Sequence, residues 1–283
     1  MTPTRASSNP TNLTLVLAGT GKTGRRVADR LAAHGWPVRI GSRSERPAFD
    51  WERPATWAPV LEGVSRAYVS YVPDLAFPGA AEAVTDFADL AVSAGVERLV
   101  LLSGRGEESA ERAERAVQES GAHWTIVRSS WFMQNFSEDF LLEPIRSGAL
   151  AFPGGNVAEP FIDLADLADV AVAALTEPGH DKEIYEVTGP RLMTFADAAD
   201  SIAAVTGRRI EYMPISPEDY AAGAIEDGLG PEFAHALAEL FATVLDGRNA
   251  HLVDGVYRAI GREPRDFSEF AREAAAAGVW SAS

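Results

Sequence analysis

The chain contains no cysteine, and only two of its 283 residues are lysine, Lys22 and Lys182. Without cysteine there is no disulfide, no thiolate nucleophile and no zinc–thiolate centre. None of the six tyrosines (68, 71, 185, 212, 220 and 257) has a lysine four residues on. That excludes the proton relay in which a lysine lowers the pKa of a tyrosine hydroxyl. No apolar run reaches the 18 residues of a membrane span, and Leu13–Ala18 is too short for a signal core. Positive charge is scarce too: 25 Lys and Arg stand against 41 Asp and Glu, a net charge of −16. General nucleic-acid binding, which needs clustered cations against phosphates, is therefore not expected.

What is present describes a globular enzyme-sized chain. Its 46% hydrophobic and 23% charged residues are enough for one substantial core and a smaller attached lobe. A cytoplasmic protein with a small-molecule substrate, no membrane or nucleic-acid partner, and a monomeric or homodimeric state is expected. Residues 1–11 read as a flexible N-terminus. The scarce cations gather in one place. Residues 20–53 hold Lys22, Arg25, Arg26, Arg30, Arg39, Arg43, Arg46 and Arg53 against Asp29, Glu45, Asp50 and Glu52. A basic segment in an acidic chain suggests a confined anion site.

That segment contains two overlapping phosphate motifs in "LVLAGTGKTGRR". Gly21-Lys22-Thr23 looks like the end of a triphosphate loop, but the glycine needed five positions before Gly21 is Val16. Gly19, Gly21 and Gly24 instead have the GxGxxG spacing of a dinucleotide loop, and their context suits it. An apolar β-rich run precedes them, and Lys22–His34 places Val27, Ala28, Leu31 and Ala32 on one helical face. Gly35 and a second strand, "WPVRIGSR", follow. Here Gly19 permits the turn, Gly21 admits the pyrophosphate, and Gly24 lets helix and strand approach. No acid stands at the end of the second strand to hold a ribose 2′-hydroxyl. Ser42 and Arg43 stand there instead, donors suited to a 2′-phosphate. NADP is favoured over NAD.

The alternation of strands and helices continues through "SRAYVSYVP", Phe77–Ala94, "VERLVLLSG", Ala110–Ser120 and "HWTIVRSSWF". The expected fold is α/β, a Rossmann-type doubly wound parallel sheet over residues 12–190. A smaller, mainly helical substrate-binding lobe is expected over 191–283. Ligands then lie at the carboxyl edge, bordered by Tyr71, Pro73, Ser103, Arg105, Ser129 and Trp131. Trp131, Phe132 and Phe136, with Asn135 for polar orientation, form either a wall for a flat substrate or ordinary core. Arg105 either meets substrate or pairs with Glu107 or Glu108. Glu114, on an apolar stripe, is expected to pair internally with Arg128. Asp163, Asp166 and Asp169 read as helix-start caps rather than metal ligands, and the five histidines have no ligand spacing.

Several stretches together resemble the NmrA-like group of atypical short-chain dehydrogenases/reductases. They are "LAGTGKTGRRVADRLAAHGWPVRIGSR", "GVERLVLLSG", "GAHWTIVRSSWFMQNF", "PFIDLADLADVAVAAL" and "YEVTGPRLMTFADAADSIAAVTGRRI". Within it the chain is most similar to bacterial relatives of ergot-alkaloid reductases such as festuclavine synthase. The resemblance implies an NADP cofactor held by Gly19, Gly21, Lys22, Thr23, Gly24, Ser42 and Arg43, with Tyr71 and Ser103 completing its groove. It further implies catalytic positions at Ser103, Trp131 and Asn135, and substrate contacts from Arg105, Trp131, Phe132, Phe136 and Phe161. With no Tyr-x-x-x-Lys pair, the reaction expected is hydride transfer to an acceptor that is already electrophilic: an iminium, a quinone, an azo compound or a conjugated alkene. A redox-sensing NADP-binding regulator and a non-redox cyclase or isomerase are the alternatives.

Overall fold

The computed structural model describes residues 12–281; the expected flexible N-terminus, residues 1–11, lies outside them. The first βαβ unit consists of β1 (Leu13–Leu17), α1 (Lys22–Ala33) and β2 (Val38–Gly41), with β1 and β2 parallel. After the short α2 (Trp57–Leu61), the chain returns to the other side of β1 as β3 (Val64–Val69). It then alternates through α3 (Ala80–Ser93), β4 (Arg98–Gly104), α4 (Glu108–Glu119) and β5 (His123–Ser129). A short α5 (Asn135–Glu138), α6 (Leu142–Ser147) and β6 (Ala149–Phe152) lead to α7 (Leu164–Thr176) and β7 (Glu183–Val187). The six-stranded parallel sheet has the order β2–β1–β3–β4–β5–β7. Because the chain runs outward in both directions from β1 and β3, their carboxyl ends open a crevice.

Period-two alternation decides what each face of the sheet buries. Leu15, Leu17, Ala67, Val69, Leu99 and Leu101 pack with Trp57, Phe87 and Val117 on the side of α2, α3 and α4. Val16, Tyr68, Val100 and Val127 point the other way, onto Val27 and Leu31 of α1 and Leu167 and Leu175 of α7. Each such fully buried side chain contributes about 1.5–3 kcal/mol. Helix α3 starts at Ala80 rather than Phe77, because Pro78 and a left-handed Gly79 (φ +84°) precede it.

Beyond β7 the chain adds α8 (Phe195–Thr206), β8 (Glu211–Pro214), α9 (Pro217–Glu226), α10 (Pro231–Val244), α11 (Gly255–Ile260) and α12 (Phe267–Ala276). Helix α8 starts with a reciprocal cap between Thr194 and Asp197 and stops at Gly207 (φ +67°). The parallel pairing of β6 with β8 was not legible in the sequence. Four residues each, they lack an alternating run long enough to read. Around them lies a second core whose members come from both sides of residue 190. Met133, Phe136, Ile145, Leu150, Phe152 and Phe161 pack with Phe195, Phe241, Phe267 and Trp280. In return α11 packs against α7 and β7 of the sheet layer.

Candidate functional site

The glycine turn connects β1 to α1 with little room to spare. A Cβ on Gly24 would lie 2.3 Å from the Ala18 carbonyl oxygen, and one on Gly19 2.7 Å from Ile40 Cγ2. Helix α1 begins at Gly21 with no side-chain cap and no acid in its first turn. Its N-terminal amides and dipole therefore remain available to an anion. Ser42 and Arg43 follow β2 at the same edge, since Gly41 is in register with Leu17. Arg43 is exposed and has no ion-pair or hydrogen-bond partner among the described residues. Uncapped amides, a cradle that a Cβ would fill and a free guanidinium fit the phosphates of a dinucleotide.

From this turn a cavity of about 1080 Å³ extends over the sheet edge to the lobe. It brings together Gly21, Lys22, Thr23, Tyr71, Ser103, Arg105, Trp131, Phe132 and Asn135, all expected from the sequence. Gly19, Gly24, Ser42 and Arg43 shape or flank its phosphate end without lining it. Phe136 and Phe161 do not line it either. Both are fully buried, ring against ring at 5.5 Å, with Phe161 5.3 Å from Phe195. Their expected contact with substrate is corrected to core packing, because the chain turns at Asn135 and carries Phe136 beneath the cavity wall. On the lobe side the wall is Trp131, Phe140, Tyr220, Phe233 and Phe241.

Three residues expected to have polar roles in the cavity have partners within the chain. Asn135 accepts a hydrogen bond from Lys22 Nζ at 2.7 Å, and Lys22 also pairs with Asp139. Next to it Arg25 and Arg26 both pair with Glu138. Burial would raise the Glu138 pKa, but hydrogen bonds from Arg26 and Arg25 outweigh it and hold the carboxyl below its ordinary value. The segment bearing Trp131 to Phe140 is thus clamped onto the start of α1. Ser103 donates its hydroxyl to Glu114 Oε1 at 2.6 Å. Arg105 pairs with neither Glu107 nor Glu108. It is 3% exposed and reaches Glu186 (3.3 Å) and His251 Nε2 (2.8 Å).

These contacts join into a chain of alternating charge under the cavity. Arg128 grips Glu114 through Nε (2.8 Å) and a terminal nitrogen (2.6 Å), as expected, and also reaches Glu186 at 3.4 Å. The hydrogen bonds that Arg128 donates to Glu114 hold the Arg128 pKa above its ordinary value. Asp163 caps α7 by accepting from the Ala165 amide, and Asp166 and Asp169 are both held by Arg262. Asp163 thus takes the capping role expected of it, whereas Asp166 and Asp169 are ion-paired instead.

Carboxyls that the sequence reading did not single out also line the cavity. Asp74 follows β3, Glu107 lies between β4 and α4, and Glu159 precedes α7. Burial pushes all three pKa values up, Glu159 to about 7. Glu159 is 2% exposed, and its Oε1 has no hydrogen-bond partner among the described residues. The Asp74 charge pushes the Glu107 carboxyl further in the same direction. "SYVPD" and "SGRGEE" do place Asp74 and Glu107 just beyond strand ends, which was the available signal. That they meet, and that Glu159 joins them from 52 residues later, follows only from the tertiary fold.

Comparison with known proteins agrees with this geometry. A family model described as NAD(P)H-binding matches residues 18–178. The chain is 33% identical over 274 residues to agroclavine dehydrogenase of Claviceps fusiformis, covering 90% of this chain and 95% of that one. It is 32% identical over 287 residues to the NAD(P)H azoreductase of Xenophilus azovorans, covering 93% and 98%. Among solved structures it is similar to the Citrobacter sp. triphenylmethane reductase complexed with NADP(H). That match has a TM-score of 0.72 at 20% identity and covers 93% of this chain and 99% of the other.

Proposed function

The chain belongs to the NAD(P)H-binding family of atypical short-chain dehydrogenases/reductases and is an NAD(P)-dependent oxidoreductase; from that premise we propose that it uses NADPH to reduce a small, flat, electrophilic organic molecule. One observation carries this reading: a single cavity joins the phosphate-binding turn to an aromatic wall. At about 1080 Å³ it is at the upper limit of usual ligand sites, about 300–1,000 Å³, so it has room for the nicotinamide end of a cofactor and a planar acceptor together.

The cofactor, when bound, supplies a hydride. The chain's own residues do the rest. The α1 amides and Lys22 hold the pyrophosphate, and Ser42 and Arg43 the 2′-phosphate. Tyr71 and Ser103 border the nicotinamide, with Ser103 fixed by Glu114. Trp131 and Phe132 stack against the acceptor and exclude water, while Asn135, anchored by Lys22, keeps that segment in place. Orienting two reactants in this way is what an acceptor that is already electrophilic requires.

NADPH oxidation against a panel of quinones, iminium salts, azo dyes and triarylmethyl cations tests the proposal. Turnover with at least one class is expected. NADPH binding with no turnover by any class, together with a protein partner whose affinity changes with the cofactor's redox state, would overturn it in favour of a regulator.

A further inference from the structure

We propose that Glu159 anchors a positive charge on the acceptor, and that the acceptor is a planar organic cation rather than a neutral quinone or azo compound. This rests on the reductase reading above and narrows its substrate class. Glu159 is 2% exposed yet lines the cavity, and its side chain has no hydrogen bond or ion pair among the described residues. Buried polar groups are nearly always satisfied, so a carboxyl left without a partner in a cavity wall marks a place for a ligand's charge. Its main chain is held on both sides. The Glu159 amide donates to the Met193 carbonyl at 2.8 Å, and the Met193 amide donates back at 3.0 Å. The next carbonyl, Pro160, accepts from the Ser130 hydroxyl at 2.6 Å, and the Ile162 amide donates to the Trp131 carbonyl at 2.9 Å. Glu159 thus projects from a stretch bonded to the one that carries Trp131, just beyond the end of β5.

The surroundings favour a cation. Among the described residues, Asp74, Glu107, Asp139, Glu159, Asp219 and Asp227 line the cavity against Lys22 and Arg105. Both cations are occupied: Lys22 is paired with Asp139 at the phosphate end, and Arg105 is held by Glu186 and His251. Two charges act on Glu159. Arg105 favours its ionised form, while Asp246, itself paired with Arg248, opposes it. Burial outweighs the pull of Arg105 and pushes the carboxyl up to about 7, so an entering cation draws it into the ionised form near neutral pH. The rings of Trp131, Phe140, Tyr220 and Phe241 add faces that attract a cation and stack on a flat one.

Such an acceptor also suits a chain without a tyrosine–lysine relay. Hydride addition forms one C–H bond, both electrons coming with the hydride, and the positive charge passes to the nicotinamide ring. No proton is needed on any atom. The reduced product is neutral, so Glu159 loses its partner, regains a proton from water and holds product less tightly than substrate.

Two planar probes of nearly the same outline, N-methylacridinium and neutral N-methylacridone, test this on protein saturated with NADP+, where no turnover intervenes. The cation should bind about ten- to hundredfold more tightly than the ketone, as a charge-assisted contact implies. In Glu159→Gln that preference should fall below about threefold, with affinities for N-methylacridone and NADP+ kept within about twofold. Wild-type affinity for the cation should rise with pH through about 7, and calorimetry at neutral pH should show release of about half a proton on binding. Both effects should be absent from Glu159→Gln. Glu108→Gln removes the same charge from an exposed position and should change nothing. A preference that survives in Glu159→Gln, one lost equally in Glu108→Gln, or one lost in Glu107→Gln instead would each overturn the anchor. Quinone turnover with no preference for the cation would also overturn it and leave the reductase reading intact. Glu159-dependent cation binding without reduction of any acceptor would overturn the reductase reading and leave the anchor standing.

Discussion

The two ends of the cavity are built from different materials. The phosphate end is backbone: a turn so tight that Gly24 admits no Cβ, and a helix start with no cap. The lobe end is side chain: Trp131, Phe140 and Phe241 interlock at 5.3–6.3 Å, supported from below by Phe152 and Phe195. A backbone site depends on the absence of atoms and tolerates almost no addition. A side-chain site depends on volume from distant segments, so it can be reshaped residue by residue. One end suits a ligand that never changes, and the other a ligand that differs among relatives.

Substitutions can break or sharpen this contrast. The largest effect is expected at the lobe's foundation. Phe161→Ala should lower unfolding free energy by about 3–5 kcal/mol, because its ring is fully buried among Phe136, Phe195 and Phe267. Denaturant titration would measure this, and a loss below 1 kcal/mol would mean that the aromatic cluster is not a core. Next comes Gly24→Ala. With a backbone oxygen 2.3 Å from the new Cβ, NADPH affinity should fall on the order of hundredfold in a titration by fluorescence.

Arg43→Ala sharpens the backbone end by testing its exposed guanidinium. A charge-assisted contact is worth roughly 1.5–3 kcal/mol, so preference for NADPH over NADH should drop about ten- to hundredfold. Equal affinities in the unmodified protein would rule out this role for Arg43.

The smallest effect separates the two ends by pH. Glu159 has its folded pKa raised from 4.5 to about 7 by burial, so the folded state holds a proton that the unfolded state releases. Stability should therefore fall as pH rises from about 4.5 through 7. Glu159→Gln should remove this dependence, raising Tm on the order of a few degrees at pH 8 and little at pH 5. A Tm gain that is the same at both pH values would mean that Glu159 does not titrate in this window.

This contrast also decides what could be read from the chain. The glycine loop, Ser42 and Arg43 were legible because local spacing dictates their geometry. So was Glu114, since a carboxylate on an apolar helical stripe must find a cation, and Arg128 was the one at hand. Phe136 and Phe161 were misplaced because an aromatic near a sheet edge looks the same whether it faces a cavity or a core. Only the turn at Asn135 separates Trp131, which lines the cavity, from Phe136, which does not. Asp74 and Glu107 could be placed beyond strand ends, and Glu159 could not, but the burial of all three was out of reach for a third reason. Nothing local marks a carboxyl that tertiary packing will remove from water.

Lys22 also has a bearing on the order of events. Its ammonium is shared among Asn135, Asp139 and the face of Phe132, with the ring centroid 5.7 Å away. An anion seated at the start of α1 competes with Asp139 for that one charge. Each therefore weakens the other's hold by the same factor, whichever arrives first. Filling the phosphate end loosens the tether on the Trp131–Phe140 segment, so the two ends of the cavity share a single thermodynamic cycle.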